Sequence, residues 1–318
     1  MLISIWDEDQ DNIVKSVQNK SKMKICCKTK NESTLLEQWI EHHAKIVGYE
    51  NLIIADNDSS DSNTLRLYDT YGDRVGIFRF RGPHNEIHWH PRFRKFFDAI
   101  RGYCDFFSYI DVDERLIHLE NDKWTADEKI TDLLEDRTAI YPTTWLINIA
   151  ESYTKFCLLD TEKRPIMSNN LKWGKPIFPS RLVGQKSGIH NVQYAGEKFA
   201  VPAGGTLFLL HYTQMPHQRI AVNVNKLVSR GVVRPGDDPL KIISLDFSNH
   251  EDKTVLRFQA EIKEMLEIIE SKRLGVRSDS KFVELAQDRS VKFGDEAARQ
   301  EFRAYQDNVQ RFIKEIFA

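Results

Sequence analysis

The chain reads as an α/β protein: a mostly parallel sheet flanked by helices, followed by a helical C-terminal extension. Three observations predict this. Between residues 23 and 110, short apolar runs alternate with segments of helical period, the pattern of strands joined by crossover helices. The runs at 23–27, 51–55 and 106–110 each stop in a cluster of polar and charged residues. Beyond residue 255, the dominant period is that of long helices.

Residues 1–21 are polar and charged and are expected to form a loose or peripheral lead-in. Residues 23–27 (MKICC) make a first strand. Leu35, Leu36, Trp39, Ile40, His43 and Val47 then recur at helical spacing. Ser33 or Thr34 is placed to cap that helix, Glu37 lies in its first turn, and Gly48 ends it. Residues 51–55 (NLIIA) form a second strand. A helix follows through Leu65, Leu67, Tyr68 and Tyr71, stopped by Gly72, and leads to a third strand at 75–80. Residues 81–91 are a loop and 93–103 a helix, and 106–110 (FFSYI) is expected to be the central strand. Further on, 139–149 reads as a strand and 169–189 as irregular. Gly204-Gly205 is a turn before a strand at 206–210, which runs into His211-Tyr212. Helices at 255–271 and 295–317 close the chain. The last carries Phe302, Tyr305, Val309, Phe312 and Ile316 as a stripe for packing on the body or on a partner helix. The expected division is a lead-in at 1–21, an α/β domain at 22–240 and a helical extension at 241–318.

The 318 residues suffice for one large domain or two modest ones. A formal net charge of −2 supplies no basic field, which argues against a nucleic-acid partner. No apolar run approaches the roughly 18 residues of a membrane span. The N-terminus turns acidic at once, unlike a secretory signal. Cys26, Cys27, Cys104 and Cys157 include no C-x-x-C pair, so reduced thiols in the cytoplasm are expected rather than zinc or disulfides.

The chemistry concentrates at the end of the 106–110 strand, in Asp111-Val112-Asp113-Glu114. Three carboxylates in four residues are costly at the exit of an apolar strand unless positive charge sits among them. In extended chain, Asp111 and Asp113 would point the same way. They would then offer two hard oxygens to Mg²⁺ or Mn²⁺, with substrate phosphates completing the shell. Such triplets also occur on solvated turns, so the neighbouring clusters carry weight. If the strands are parallel with right-handed crossovers, the clusters after the first, second and 106–110 strands share one edge of the sheet. That edge is where open α/β sheets bind ligands. Lys28, Lys30 and Lys175 are point charges suited to a diphosphate. His84, His88 and His90 lack a carboxylate or cysteine partner at a fitting spacing, and a loop role suits them better.

Lys30-Asn31-Glu32, then Glu37, Trp39 and His42 or His43, then Asp56-Asn57-Asp58-Ser59-Ser60-Asp61 and Tyr109-Ile110-Asp111-Val112-Asp113-Glu114, resemble glycosyltransferases of the family-2-like group, more closely its family-92-like branch. Lys175-Pro176-Ile177, His190, His211-Tyr212 and Lys226 with Arg230-Gly231 are similar to the later part of that pattern. The resemblance spans residues 23–231, and the segment after 240 has no counterpart. It implies the GT-A-like (Rossmann-like) fold, a nucleotide-sugar donor with UDP-sugars favoured, a glycan or other hydroxyl acceptor, and Mn²⁺ or Mg²⁺. Polysaccharide or glycan assembly is the implied setting. Lys30, Asn31, Glu32, Asp56, Asn57, Asp111, Lys175 and His190 would bind the nucleotide sugar, and Asp111, Asp113 and His211 the metal. An inverting enzyme needs a carboxylate to take the acceptor's proton. Glu151 is the choice for it, with Asp160 and Glu114 as alternatives.

Two other readings compete. A nucleotidyltransferase would normally carry a Gly-rich phosphate loop after its first strand, and residues 28–33 contain no glycine. A non-catalytic GT-A-like module that binds glycan or a partner would bind no nucleoside diphosphate. The C-terminal helices suggest a homo-oligomer.

Overall fold

The computed structural model describes residues 3–158, 174–185, 197–271 and 282–316. The first half runs α1 (Gln10–Ser16), β1 (Ser21–Thr29), α2 (Leu36–Val47), β2 (Leu52–Asp56), α3 (Ser62–Tyr71), β3 (Gly76–Arg79), α4 (Arg94–Tyr103), β4 (Cys104–Tyr109). Next come β5 (Glu114–Glu120), β6 (Lys123–Thr125), α5 (Lys129–Asp132), β7 (Thr144–Asn148), β8 (Lys155–Leu158) and β9 (Phe178–Pro179). The chain continues through β10 (Thr206–His211), α6 (Pro216–Val228), α7 (Pro239–Ile242), α8 (Thr254–Ser271), β11 (Val283–Leu285), β12 (Val291–Phe293) and α9 (Glu296–Ile316).

A parallel sheet flanked by helices is present, as expected. Its order is β3-β2-β1-β4-β9, with only β9 antiparallel. Side chains alternate across it. Cys26, Ile53, Ala55, Phe78, Phe107 and Tyr109 meet Phe93, Phe96, Phe97 and Ile100 at α4. Ile25, Cys27, Ile54 and Phe106 meet Leu36, Trp39 and Ile40 of α2 and Tyr68 and Tyr71 of α3. Both faces are covered, so these strands are apolar on both sides and read as continuous runs. The centre of the sheet is β1 rather than the 106–110 strand, since β4 lies between β1 and the short β9.

A second sheet was not anticipated. Its order is β12-β11-β8-β7-β10-β5-β6, antiparallel except between β7 and β10. Within 139–149 only Thr144–Asn148 is strand, with isolated bridges at Ile140 and Tyr141. Beyond the short β6, the outer edge of β5 would leave backbone groups unpaired. Two histidines of α2 cover it at Leu116. His42 Nε2 donates to the Leu116 carbonyl at 2.7 Å, and the Leu116 N–H donates to His43 Nε2 at 3.3 Å. Helix α9 lies on this sheet, with Phe302 stacked on Phe208 at 5.4 Å between ring centroids.

Three local expectations are corrected. Residues 3–17 are not loose. The Trp6 N–H donates to the Arg79 carbonyl at 2.7 Å and the Arg79 N–H to the Ser4 carbonyl at 2.9 Å, so this segment pairs in parallel beside β3. The Trp6, Ile13 and Val17 side chains are buried. Helix α2 is flanked by Leu35, without a side-chain cap from Ser33 or Thr34. Its nearest side-chain acceptor is Glu32 Oε1, 3.4 Å from the Leu35 N–H. Asp111 and Asp113 lie on a tight turn, closed by the Glu114 N–H on the Asp111 carbonyl at 2.9 Å, rather than in extended chain.

Candidate functional site

The register brings the polar clusters together. Thr29 of β1 lies beside Asp56 of β2, and Cys26 beside Tyr109 of β4. The loops after β1, β2 and β4 therefore leave one edge of the parallel sheet, and the Asp111–Asp113 turn joins that edge to β5. Antiparallel pairing of β5 with β10 sets His211 beside Glu114.

The two aspartates of the turn face different cations. Asp111 Oδ2 is bonded by Lys175 Nζ, and Lys28 Nζ lies 3.9 Å from Oδ1. Burial pushes the Asp111 carboxyl up, but Lys175 and then Lys28 outweigh it and hold the pKa below its ordinary value. Asp113 Oδ2 is 2.7 Å from Arg219 Nη2 and 3.5 Å from His211 Nε2. There too burial is overcome, first by Arg219 and then by His211. Glu114 is fully engaged. Oε2 accepts the Asp111 N–H at 2.9 Å and lies 3.3 Å from Lys175, while Oε1 accepts from the Trp145 indole at 2.8 Å. Arg115 is buried and gives its N–H groups to the carbonyls of Val112, Glu114 and Leu35.

The loops after β1 and β2 are stitched to each other. Asn31 sits at φ 50°, in the left-handed region that asparagine tolerates. Its side-chain oxygen accepts the N–H groups of Ser60 at 2.7 Å and Asp61 at 2.9 Å. The Asp56 carboxylate is buried and accepts from Ser59, from the Tyr68 hydroxyl at 2.9 Å and from Arg79 Nε at 3.0 Å. Asn57 donates to the Gly82 carbonyl at 3.0 Å. Glu32 is buried and its pKa is raised by burial, with Lys226 the chief opposing charge. Lys30 is half-buried on the same loop. His84 and His88 lie on the loop that Lys28 Nζ reaches through Asn85. Burial, then Lys28, holds His84 neutral with a pKa near 3.

Glu151 stands apart. It is exposed at φ 60°, and its backbone N–H donates to the Gln214 carbonyl. His190 and Asp160 lie outside the described residues.

Sequence reasoning missed Arg219 altogether. It shares a face of α6 with Asn223 and Lys226, while Ile220 and Leu227 pack toward α8. A polar stripe at positions 219, 223 and 226, running beside the apolar one, is the signal that would have found it.

Among the described residues, no group of three or more His, Cys, Asp or Glu side chains is placed to hold a metal ion. Asp113 and His211 form a pair. A separation of 3.5 Å suits two ligands each about 2.1 Å from one ion. Mg²⁺ and Mn²⁺ need only one or two protein ligands when phosphates and water fill the shell. That pair fits a divalent cation. Asp111, turned to Lys175, does not join it in this arrangement.

No family model matches the chain, and no curated protein matches it. Among solved structures it is similar to residues 1–349 of S. aureus TarS, with 12% identity and a TM-score of 0.35 over 80% of this chain and 75% of that one. It is also similar to the mannosyltransferase PcManGT of Pyrobaculum calidifontis, solved with GDP-Man and Mn²⁺ (12% identity, TM-score 0.34, 82% and 78% of the two chains). A third is a cytidylyltransferase of Leptospira borgpetersenii (16% identity, TM-score 0.27, 51% and 62%).

Proposed function

We propose that the chain transfers a sugar from a nucleotide-sugar donor to an acceptor hydroxyl. The observation that carries this reading is the Asp111–Asp113 turn. It stands at the ligand-binding edge of a parallel sheet, with Lys28 and Lys175 on one side and His211 and Arg219 on the other.

The charge there would favour a diphosphate only together with a further cation. The buried or half-buried carboxylates of Asp111, Asp113, Glu114 and Glu32 face Lys28, Lys175, Arg219, Lys226 and Arg115. One surplus cation does not offset a leaving diphosphate. Asp113 and His211 would hold the Mn²⁺ or Mg²⁺ that does, and that ion's contribution is Lewis-acid neutralisation. Lys28 and Lys175 add fixed positive charge beside it. The loops carrying Lys30, Asn31, Glu32, Asp56 and Asn57 would form the nucleoside side of the cleft. Within them Asn31 and Asp56 hold the loop shape, since their own acceptors are occupied. Glu114 has both oxygens engaged and is a poor base. Glu151, exposed and unpaired among the described residues, is the carboxylate assigned to the acceptor's proton.

A UDP-sugar is the proposed donor, and His190 a further donor contact. Glycan assembly in the cytoplasm is the proposed setting, and the four buried free thiols suit a reducing compartment. No helix among the described residues is long and apolar enough to cross a membrane.

A thermal-shift panel tests the reading with UDP, GDP, CDP and CMP, each with and without Mn²⁺, on wild type and Asp113→Asn. One nucleoside diphosphate should raise the melting temperature only with metal, and Asp113→Asn should lose the effect. Saturation at about 100 times Kd corresponds to roughly 2.7 kcal/mol. If no nucleotide shifts the melt under any condition, the transferase reading fails.

A further inference from the structure

Resting on that reading of the donor site, we propose that Arg219 changes partners when the donor binds. Its guanidinium leaves Asp113 for the diphosphate, and the freed carboxylate oxygen is taken by the divalent cation.

The conflict over one atom drives this. Asp113 Oδ2 is the oxygen nearest His211 Nε2, at 3.5 Å, and it is also the oxygen bonded to Arg219 Nη2, at 2.7 Å. A guanidinium and a divalent cation on one carboxylate oxygen repel each other at short range, where Coulomb terms are largest. One of them has to yield.

The cations at the turn differ in their freedom to move. Lys175 is 1% exposed and lies between Asp111 and Glu114. Arg115 is fastened to three backbone carbonyls. The Arg219 side chain is 24% exposed, and among the described residues the only hydrogen bond of its guanidinium is the one to Asp113. Among those residues the rest of its planar fork has no hydrogen-bond partner, and that fork matches phosphate oxygens in a bidentate way. Its backbone is fixed, because α6 packs through Ile220 and Leu227 into a core with Phe258 and Ile262 of α8. A side chain on a firm helix, with a single exchangeable partner, is suited to a swap of ligands without movement of the fold.

The test uses Mn²⁺ alone and UDP as probes on the full chain. Free Mn²⁺ is followed by its electron paramagnetic resonance signal, and UDP binding in saturating Mn²⁺ by calorimetry. Arg219→Gln should bind Mn²⁺ alone on the order of tenfold more tightly, because a competing unit charge is gone. The same variant should bind UDP with Mn²⁺ on the order of tenfold more weakly, because a phosphate contact is gone. Arg219→Lys keeps the charge and should leave Mn²⁺ binding near wild type, and it also guards against a folding defect in the glutamine variant. Opposite shifts in the two affinities support the exchange. If Mn²⁺ and UDP affinities both fall, or Mn²⁺ affinity is unchanged, while Asp113→Asn abolishes Mn²⁺ binding, Arg219 is only a strut and the exchange is overturned. If Asp113→Asn leaves Mn²⁺ binding intact, the cation site itself is misassigned and the exchange falls with it.

Discussion

His43 shows how far one side chain can be taken. It is fully buried, with Nδ1 2.9 Å from the Trp39 carbonyl and Nε2 accepting the Leu116 N–H. A carbonyl only accepts, so Nδ1 carries the proton and Nε2 the lone pair. A second proton on Nε2 would face the Leu116 N–H. Burial first, then His42 and Arg115, hold its pKa well below the ordinary value, and His88 is depressed chiefly by burial. A histidine depressed in the fold titrates near 6.5 once unfolded. Its contribution to stability is whole above that pH and is lost as the pH falls below it. Each such ring adds a slope of about 1.4 kcal/mol per pH unit. Melting followed from pH 8 to 5 should therefore fall increasingly steeply below about 6.5, with a flatter slope in His43→Gln. A level profile would mean that these rings take up protons equally in the folded and the unfolded chain. Sequence found Asp111, Asp113 and His211 because each closes or follows an apolar run, whereas Lys175, in a segment read as irregular, came from its suitability for phosphate and from the resemblance. It could not assign Asn31 and Asp56 to loop stitching, since a free polar side chain and a bonded one are spelled alike.

Among the elements, the parallel strands were legible because burial on both faces leaves uninterrupted apolar runs. The second sheet was not, because β5 pairs with β10 some ninety residues on, and β11 and β12 are three residues each. No local pattern announces a partner that distant. The start of α3 is fixed by a side-chain cap: the Asp61 carboxylate accepts from the Thr64 N–H and hydroxyl, both at 2.8 Å. Asp61→Ala should cost about 1 kcal/mol in denaturant unfolding. The loop would keep Asn31 on the Asp61 N–H, so the nucleotide response in the thermal-shift panel should survive. Loss of that response would mean that the cap also shapes the nucleoside side of the cleft.

For the whole molecule, the lead-in was misread because its core contacts are few and widely spaced. Trp6, Ile13 and Val17 sit among charged neighbours, yet all three enter the cluster around α4. The Trp6 ring lies 5.3 Å from Phe93 and 5.8 Å from Phe78, and its indole donates to the Arg92 carbonyl at 3.1 Å. Trp6→Ala should cost about 3–5 kcal/mol, read from the denaturation midpoint. A loss below 1 kcal/mol would show that the lead-in is peripheral after all. On helix α9, Phe302 and Val309 of the expected stripe are buried on its own chain, together with Ile313, while the side chains of Phe312 and Ile316 lie outside the described ones.

That cluster joins Trp6 to Val309 and Ile313, from opposite ends of the sequence. A ribosome adding about 5–20 residues per second takes roughly 15–60 s to travel from one to the other. Throughout that interval the aromatic face of α4 is already made and still lacks part of its cover. Contacts of such sequence separation form late and slowly. Until α9 emerges, Phe93, Phe96 and Phe97 therefore stand as apolar surface that the nascent chain has nothing of its own to close over.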